Sequence, residues 1–350
     1  MDDVDRVVEA AVADGAFPGA AWQAEVRGAP VSRGARGFAV VAPERIRATT
    51  RTLWDLASLT KVVVATVCMR LVERGLVRLD DPVGRWFPAF SQGPRSTVVL
   101  RQLLAHTSGL PGLVPLYHQA RGREAMLEAV CALPLRHPPG AQVEYTSQGF
   151  MLLGAIVERV ADAGLETLVA REINAVLGTG FRFTPPAEER RRIAATEDQP
   201  ARGGIVWGEV HDENCHAMGG VGGHAGLFGE LGDVVAFGRA MLGEGTPLLS
   251  PAARDCMTRC HTEGLGLRRG LGWQLKDPEG SPAGDLMSEA TFGHTGFTGT
   301  SLFCDPVRGV VAVLLTNRVH PTRANERIFR VRALFHNAVA AQAGAGPASR

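Results

Sequence analysis

Trp54-Asp55-Leu56-Ala57-Ser58-Leu59-Thr60-Lys61, followed by the apolar run 62–72, is the stretch on which the reading of this 350-residue chain turns. Ser58 and Lys61 are three residues apart, so on a helix they share one face, about one turn from each other. At a helix N-terminus the hydroxyl comes within reach of the amine. Unpaired backbone N–H groups and the positive end of the helix dipole lie beside both. Such a pair can form an activated nucleophile, because a lysine gives up its proton readily once desolvated. Val62, Val63, Val64, Ala65, Val67, Cys68, Met69, Leu71 and Val72 are apolar on nearly every side of such a helix, the pattern of a buried element. The β-branched residues 62–64 also fit a strand, but the pattern runs to Glu73-Arg74 and stops at Gly75, which favours a helix. Alone, Ser-x-x-Lys is also the ordinary solvated, Ser-capped start of a helix, since motifs this short recur by chance.

The bulk properties narrow the function classes. Apolar residues make up 45% and charged residues 21% of the chain, an ordinary globular composition. A net charge of +1 gives no reason to expect nucleic acid or an anionic membrane as partner. The six cysteines show no C-x-x-C spacing. Cys256, Cys260 and His261 come nearest to a metal cluster but have no second ligand pair, and they read as helix residues in a reducing compartment. The N-terminus carries Asp2, Asp3 and Asp5 without a basic or long apolar region, and no segment approaches roughly 18 uninterrupted apolar residues. A cytoplasmic protein without a membrane span is expected.

Taken in order, residues 2–14 have helical periodicity, and 20–26 with 31–41 read as two strands of a hairpin after Pro18-Gly19. Residues 83–180 read as mostly helical, with helices over 101–106, 124–133, 150–160 and 165–177. Periodicity disappears over 181–230, where 188–192 reads as a solvated charged face. The glycine-dense 219–229 follows no strand and carries no phosphate-binding signature, so it reads as close backbone packing. Helices over 231–242 and 251–260 lead to strands over 272–275, 297–303 and 310–316, then a helix over 325–340. Strands at both ends with helices between predict an α/β part interrupted by a helical part. The expected division is 1–57 with 245–343 as a discontinuous α/β domain, 58–244 as a mostly helical domain, and 344–350 as a frayed tail.

Two further elements can carry chemistry. Tyr145-Thr146-Ser147 follows the turn Pro138-Pro139-Gly140, so its hydroxyls can point from a loop into a cleft. A phenol near a lysine ammonium has its anion stabilised, which suits general acid–base work; the plain alternative is a tyrosine packed at a core edge. Gly293-His294-Thr295-Gly296-Phe297-Thr298-Gly299 opens the strand expected at 297–303. Gly296 and Gly299 permit close approach to a strand edge whose N–H groups can bind an oxyanion. By itself the segment is equally a turn between strands.

Together and in this order, Ser58-Leu59-Thr60-Lys61, Tyr145-Thr146-Ser147 and His294-Thr295-Gly296 resemble the three catalytic elements of the serine β-lactamase and penicillin-binding-protein superfamily. The tyrosine in the second element and H-T-G in the third are similar to the class C β-lactamase branch, which includes DD-peptidases, D-amino-acid peptidases and esterases. Leu104-Ala105-His106-Thr107-Ser108-Gly109-Leu110, His211-Asp212-Glu213-Asn214 and Gly220-Val221-Gly222-Gly223-His224-Ala225-Gly226-Leu227 add to the resemblance, which runs from about residue 4 to 335. It implies an α+β fold, an antiparallel sheet flanked by helices with a mostly helical domain inserted and the site between them. It also implies that Ser58 forms an acyl-enzyme while Lys61 and Tyr145 move protons, with the N–H groups of Ser58 and Phe297 as oxyanion hole. Ser147, His294, Thr295, Gly296 and Phe297 would bind the substrate, and no metal or organic cofactor is needed.

Two departures bear on substrate. His294 stands where β-lactamases usually have lysine, and a histidine near pH 7 is largely neutral unless its pKa is raised. Ser147 stands where an asparagine is common and offers no amide donor. Both changes weaken recognition of a β-lactam's carboxylate and amide more than acyl transfer itself. The expected partner is a small ester or amide, with esterase-like hydrolysis favoured and weak β-lactamase activity alongside it. A β-lactamase or a D-alanyl or D-amino-acid peptidase is the alternative, and a catalytically silent binding or sensor protein is the rival from another class.

Overall fold

The computed structural model describes residues 2–344. Its centre is a sheet of seven antiparallel strands, drawn from the two ends of the chain. These are β1 (Gly19–Val26), β2 (Ala29–Val40), β3 (Ile46–Arg47), β4 (Gln274–Leu275), β5 (Phe292–Thr295), β6 (Ser301–Asp305) and β7 (Val310–Thr316), in the order β3-β2-β1-β7-β6-β5-β4. β1 and β7 close the sheet across the termini, Ala20 opposite Thr316 and Val26 opposite Val310.

Alternation along β7 sorts its side chains between two cores, as the two-residue period of a strand requires. Val310, Ala312 and Leu314 join Val4, Val8, Phe335 and Val339 of the helices α1 (Asp3–Ala13) and α5 (Ile328–Gly344). Val311, Val313 and Leu315 join the larger core shared by α2 (Leu59–Glu73), α3 (Gln148–Ala161) and α4 (Leu231–Leu242). Both faces are covered, so the strand is apolar throughout. α2 is buried at every position from Leu59 to Met69, which is why its sequence shows no polar face.

The structure departs from the sequence reading in three places. The strand expected at 297–303 starts only at Ser301, as β6, and 296–300 form a turn between β5 and β6 that the Thr298 and Thr300 hydroxyls pin to the carbonyls of Asp55 and Leu56. The helix expected over 165–177 contains a π-helical turn, Ala170–Asn174. The last helix begins at Ile328, and the backbone of Arg323 and Asn325 before it is held by Arg318. The tail expected at 344–350 lies outside the described residues except for Gly344, which ends α5.

Candidate active site

The nucleophile turn is built first. Asp55 accepts hydrogen bonds from the Ala57 N–H at 2.8 Å and the His211 N–H at 2.7 Å. Burial raises the pKa of this carboxyl, against those two donors. They hold Ala57 at φ +47°, a left-handed conformation that costs a non-glycine residue about 1–2 kcal/mol. The chain therefore turns sharply into α2, with Ser58 as its N-cap and Lys61 in its first turn.

Three side chains meet there. Lys61 Nζ donates to Ser58 Oγ at 3.0 Å and to the His224 carbonyl at 3.0 Å, and the Tyr145 hydroxyl donates to the same Ser58 Oγ at 2.8 Å. Lys61 is 1% exposed, and its Nζ lies 5.0 Å from the centre of the Tyr145 ring. A hydroxyl flanked by an amine and a phenol can lose its proton to one of them as it attacks an electrophile.

The third element arrives along the edge of the sheet. β4 pairs with β5 only as far as Gly293, so His294 and Thr295 present an uncovered strand edge. Gly296 packs directly on the nucleophile turn, where a Cβ would lie 2.1 Å from Thr300 Oγ1 and 2.5 Å from the Leu56 carbonyl oxygen. Thr298 Oγ1 donates to the Asp55 carbonyl at 2.7 Å and Thr300 Oγ1 to the Leu56 carbonyl at 3.1 Å. These bonds fix the 296–300 turn against the segment that carries Ser58. Among the described residues, neither the Ser58 N–H nor the Phe297 N–H has an acceptor. Two unpaired donors at such a junction can receive a developing oxyanion.

Two cavities open on either side of this centre. One, of about 380 Å³, is lined by Ser58, Tyr145, Ser147 and Phe297 together with Leu113, Val114, Tyr117, Asp212 and Ala225. The other, of about 230 Å³, is lined by Ser58, Tyr145, His294, Thr295, Gly296 and Phe297, with Arg269, Arg318 and Arg332. Seven of the eight residues singled out in the sequence line one or both cavities; Lys61 reaches the site from below through its ammonium. Ser147 stands at the start of α3, without a side-chain capping bond, and lines the first cavity, but the second partner of Lys61 is the His224 carbonyl rather than Ser147.

His294 is held neutral. Burial, then Lys61 and the nearby arginines, push its pKa down to about 3, and its Nδ1–H donates to the Thr295 carbonyl at 2.8 Å. The charge in this cavity comes from arginines that had no motif to mark them. Arg269 and Arg332 are almost fully buried, as is Arg318, and the hydrogen bonds their guanidinium groups make go to backbone carbonyls. Arg269 and Arg332 each keep a buried Nε with no partner.

Other supports also went unmarked as site residues. His224, whose carbonyl holds Lys61, contacts Asp212 Oδ1 through Nε2 at 3.1 Å. Burial alone would raise the Asp212 carboxyl, but the charge and hydrogen bond of His224 and the Cys215 N–H hold it well below the usual range. The glycine-dense loop is packed tightly, as its composition suggested: a Cβ at Gly223 would lie 2.1 Å from the Phe150 carbonyl oxygen. His106, buried at φ +60°, accepts from the Thr146 N–H and packs against Tyr145 with ring centres 4.7 Å apart and planes tilted by 43°. Their only signals were the phrases around His106, His211 and His224. Among the described residues, no group of three or more His, Cys, Asp or Glu side chains is placed to hold a metal ion, and His261 instead contacts the Cys256 carbonyl. No helix there is long and apolar enough to cross a membrane.

The "Putative D-alanyl-D-alanine carboxypeptidase" of Escherichia coli (strain K12) is 33% identical over 318 residues, covering 80% of this chain and 72% of that protein. The fold is similar to that of EstCE1, described as a hydrolase with promiscuous acyltransferase activity, with a TM-score of 0.79 at 23% identity over 96% of this chain and 97% of that one. It is similar also to a mutant of simvastatin synthase from Aspergillus terreus, with a TM-score of 0.78 at 23% identity over 98% and 97% of the two chains. The profile of the Beta-lactamase family matches residues 4–336, and to that family, with its serine hydrolase fold, the chain belongs.

Proposed function

We propose that the protein is a serine hydrolase that cleaves small esters or amides through an acyl-enzyme on Ser58, its preferred leaving group carrying a carboxylate. One observation carries this reading: the Lys61 amine and the Tyr145 phenol both bond to Ser58 Oγ, at the junction of two open cavities. With one member of the Lys61–Tyr145 pair deprotonated, as neutral amine or phenolate, Ser58 Oγ attacks the acyl carbon and its proton passes to that member. The carbonyl oxygen gains charge between the Ser58 and Phe297 N–H groups, where preorganised donors stabilise the transition state most. The pair returns the proton to the leaving group as the acyl–leaving-group bond breaks. Water enters by the same route in reverse and frees the acid and Ser58.

A preference for esters follows from His294 only if nothing else supplies positive charge. His294 is neutral, but Arg269, Arg318 and Arg332 surround the cavity it lines. Charge-assisted hydrogen bonds to a buried carboxylate contribute about 1.5–3 kcal/mol. The more apolar cavity, with Leu113, Val114 and Ala225, then takes the acyl group. The name carried by the Escherichia coli relative, a carboxypeptidase, fits a substrate that ends in a carboxylate.

Mass spectrometry of the protein after brief exposure to a fluorophosphonate should show a single adduct on Ser58, absent from Ser58→Ala. A pair of thioesters with one acyl group, one with a carboxylate on its leaving group and one without, tests the preference. Roughly tenfold or greater kcat/KM for the carboxylate is expected from the energies above. No adduct would end the hydrolase reading, and equal rates would end the carboxylate preference alone.

A further inference from the structure

Arg332 sits in α5, 4% exposed, at the back of the turn that carries Phe297. Its Nη2 donates to the Gly296 carbonyl at 2.6 Å and to the Thr300 carbonyl at 2.9 Å. No carboxylate among the described residues bonds to it, and its Nε is buried without a partner. Burial, helped by the like charge of Arg318, pulls the guanidinium down to about 9, which still leaves it protonated at neutral pH. Holding an unpaired cation in the interior costs several kcal/mol. A neutral amide could tie two carbonyls together without that cost, so the charge itself needs a use.

The covalent structure supplies one. Gly296 O and Phe297 N–H are the two ends of one peptide unit, and in a trans peptide they point in opposite directions. A cation on the oxygen draws electron density through the amide and makes the N–H a stronger donor, the cooperative effect of chained hydrogen bonds. Arg318 Nε donates to the Phe297 carbonyl at 2.8 Å and fixes the orientation of the following peptide. We propose that Arg332 is a positioning residue of the oxyanion hole, polarising the Gly296–Phe297 peptide from behind so that the Phe297 N–H holds the tetrahedral oxyanion more strongly. This rests on the acyl-enzyme reading above. It requires no contact between Arg332 and substrate.

The test reads the acyl-enzyme directly. Wild type and Arg332→Gln are acylated by a slow neutral ester with a 13C-labelled carbonyl, and the carbonyl stretch is recorded by infrared difference spectroscopy. The stretch should rise in Arg332→Gln as the bond loses polarisation. kcat/KM for neutral esters should fall on the order of tenfold, less than loss of a whole donor costs. Affinity for a boronic acid transition-state analogue should fall in proportion, and Arg332→Lys should recover part of each change. An unshifted stretch with unchanged boronate affinity in folded Arg332→Gln overturns the proposal, as does a loss confined to carboxylate-bearing substrates. Should Arg332→Gln fail to fold, Arg332→Lys decides: a smaller upward shift supports the proposal and an identical stretch overturns it. Failure of the wild type to form any adduct on Ser58 is a different result and removes the acyl-enzyme reading itself.

Discussion

The Tyr145 ring packs among His106, His294 and Lys61, and its hydroxyl bonds to Ser58. Tyr145→Phe keeps the ring contacts and removes the hydroxyl's bond. Its melting temperature should stay within a few degrees of wild type while kcat/KM falls about 10²–10⁴-fold, the usual contribution of a positioned proton carrier. An unchanged rate would move proton transfer to Lys61 alone. His294 makes the opposite case. Its pKa of about 3 lies below its ordinary value, so it is protonated only below that pH and neutral throughout the range in which the enzyme would be assayed. The pH dependence of kcat/KM should therefore show no step from His294 between pH 5 and 9, and His294→Gln should reproduce the wild-type profile shape; a step that vanishes in His294→Gln would show the imidazole titrating there. Ser58, Lys61, Tyr145 and the H-T-G residues were legible because fixed spacings and chain order mark them. Asp55 and His224 stood in quoted phrases without a role, and Arg269, Arg318 and Arg332 had no mark at all, since the burial and partners of all five exist only after folding.

At the scale of elements, α2 carries Ser58 at one end and is anchored at the other by Glu172, in the π turn of Ala170–Asn174. The Glu172 side chain is 1% exposed and bonds to Arg70, Arg74 and Arg171. Burial alone would raise its pKa, but the arginines hold it at about 2. A carboxylate with a depressed folded pKa stabilises the fold above its unfolded value and loses that contribution as pH falls through the folded one. Glu172→Gln should cost about 3–5 kcal/mol at pH 7, the usual penalty for breaking a buried ion pair. In urea unfolding the gap between variant and wild type should close as pH falls from 4.5 to about 2; a gap independent of pH would mean packing rather than charge is lost. The long apolar runs of α2 and β7 were legible because burial on all sides leaves a compositional mark. The turn at 296–300 was misread because Phe297-Thr298-Gly299-Thr300-Ser301-Leu302-Phe303 looks like a strand until the hydroxyls of Thr298 and Thr300 find carbonyls some 240 residues away. The π turn leaves no trace in the periodicity at all.

Across the whole molecule, both chain ends pair in one sheet, and this brings residues 269, 318 and 332 to the same wall as Ser58. A chain of net charge +1 thus concentrates three guanidinium groups around about 230 Å³, an asymmetry that composition averages away. Of the three, Arg318 and Arg332 are committed to the carbonyls of the 296–300 turn, so removing either disturbs the oxyanion donors as well as the charge. Arg269 is not: among the described residues its guanidinium makes a single hydrogen bond, a long one of 3.5 Å to the neighbouring Arg268 carbonyl. It is therefore the arginine through which leaving-group recognition can be separated from catalysis. Arg269→Gln should lower kcat/KM for a carboxylate-bearing thioester by about ten- to a hundredfold, the loss of one charge-assisted bond, with the change carried mainly in KM. The neutral thioester should be hydrolysed within about twofold of the wild-type rate, because nothing it touches has moved. Raising the salt concentration should narrow the wild-type preference only slightly, since the pair forms out of solvent where screening is weak. If both substrates slow equally in Arg269→Gln, this arginine supports the site rather than the leaving group, and the preference for a carboxylate loses its recognition residue.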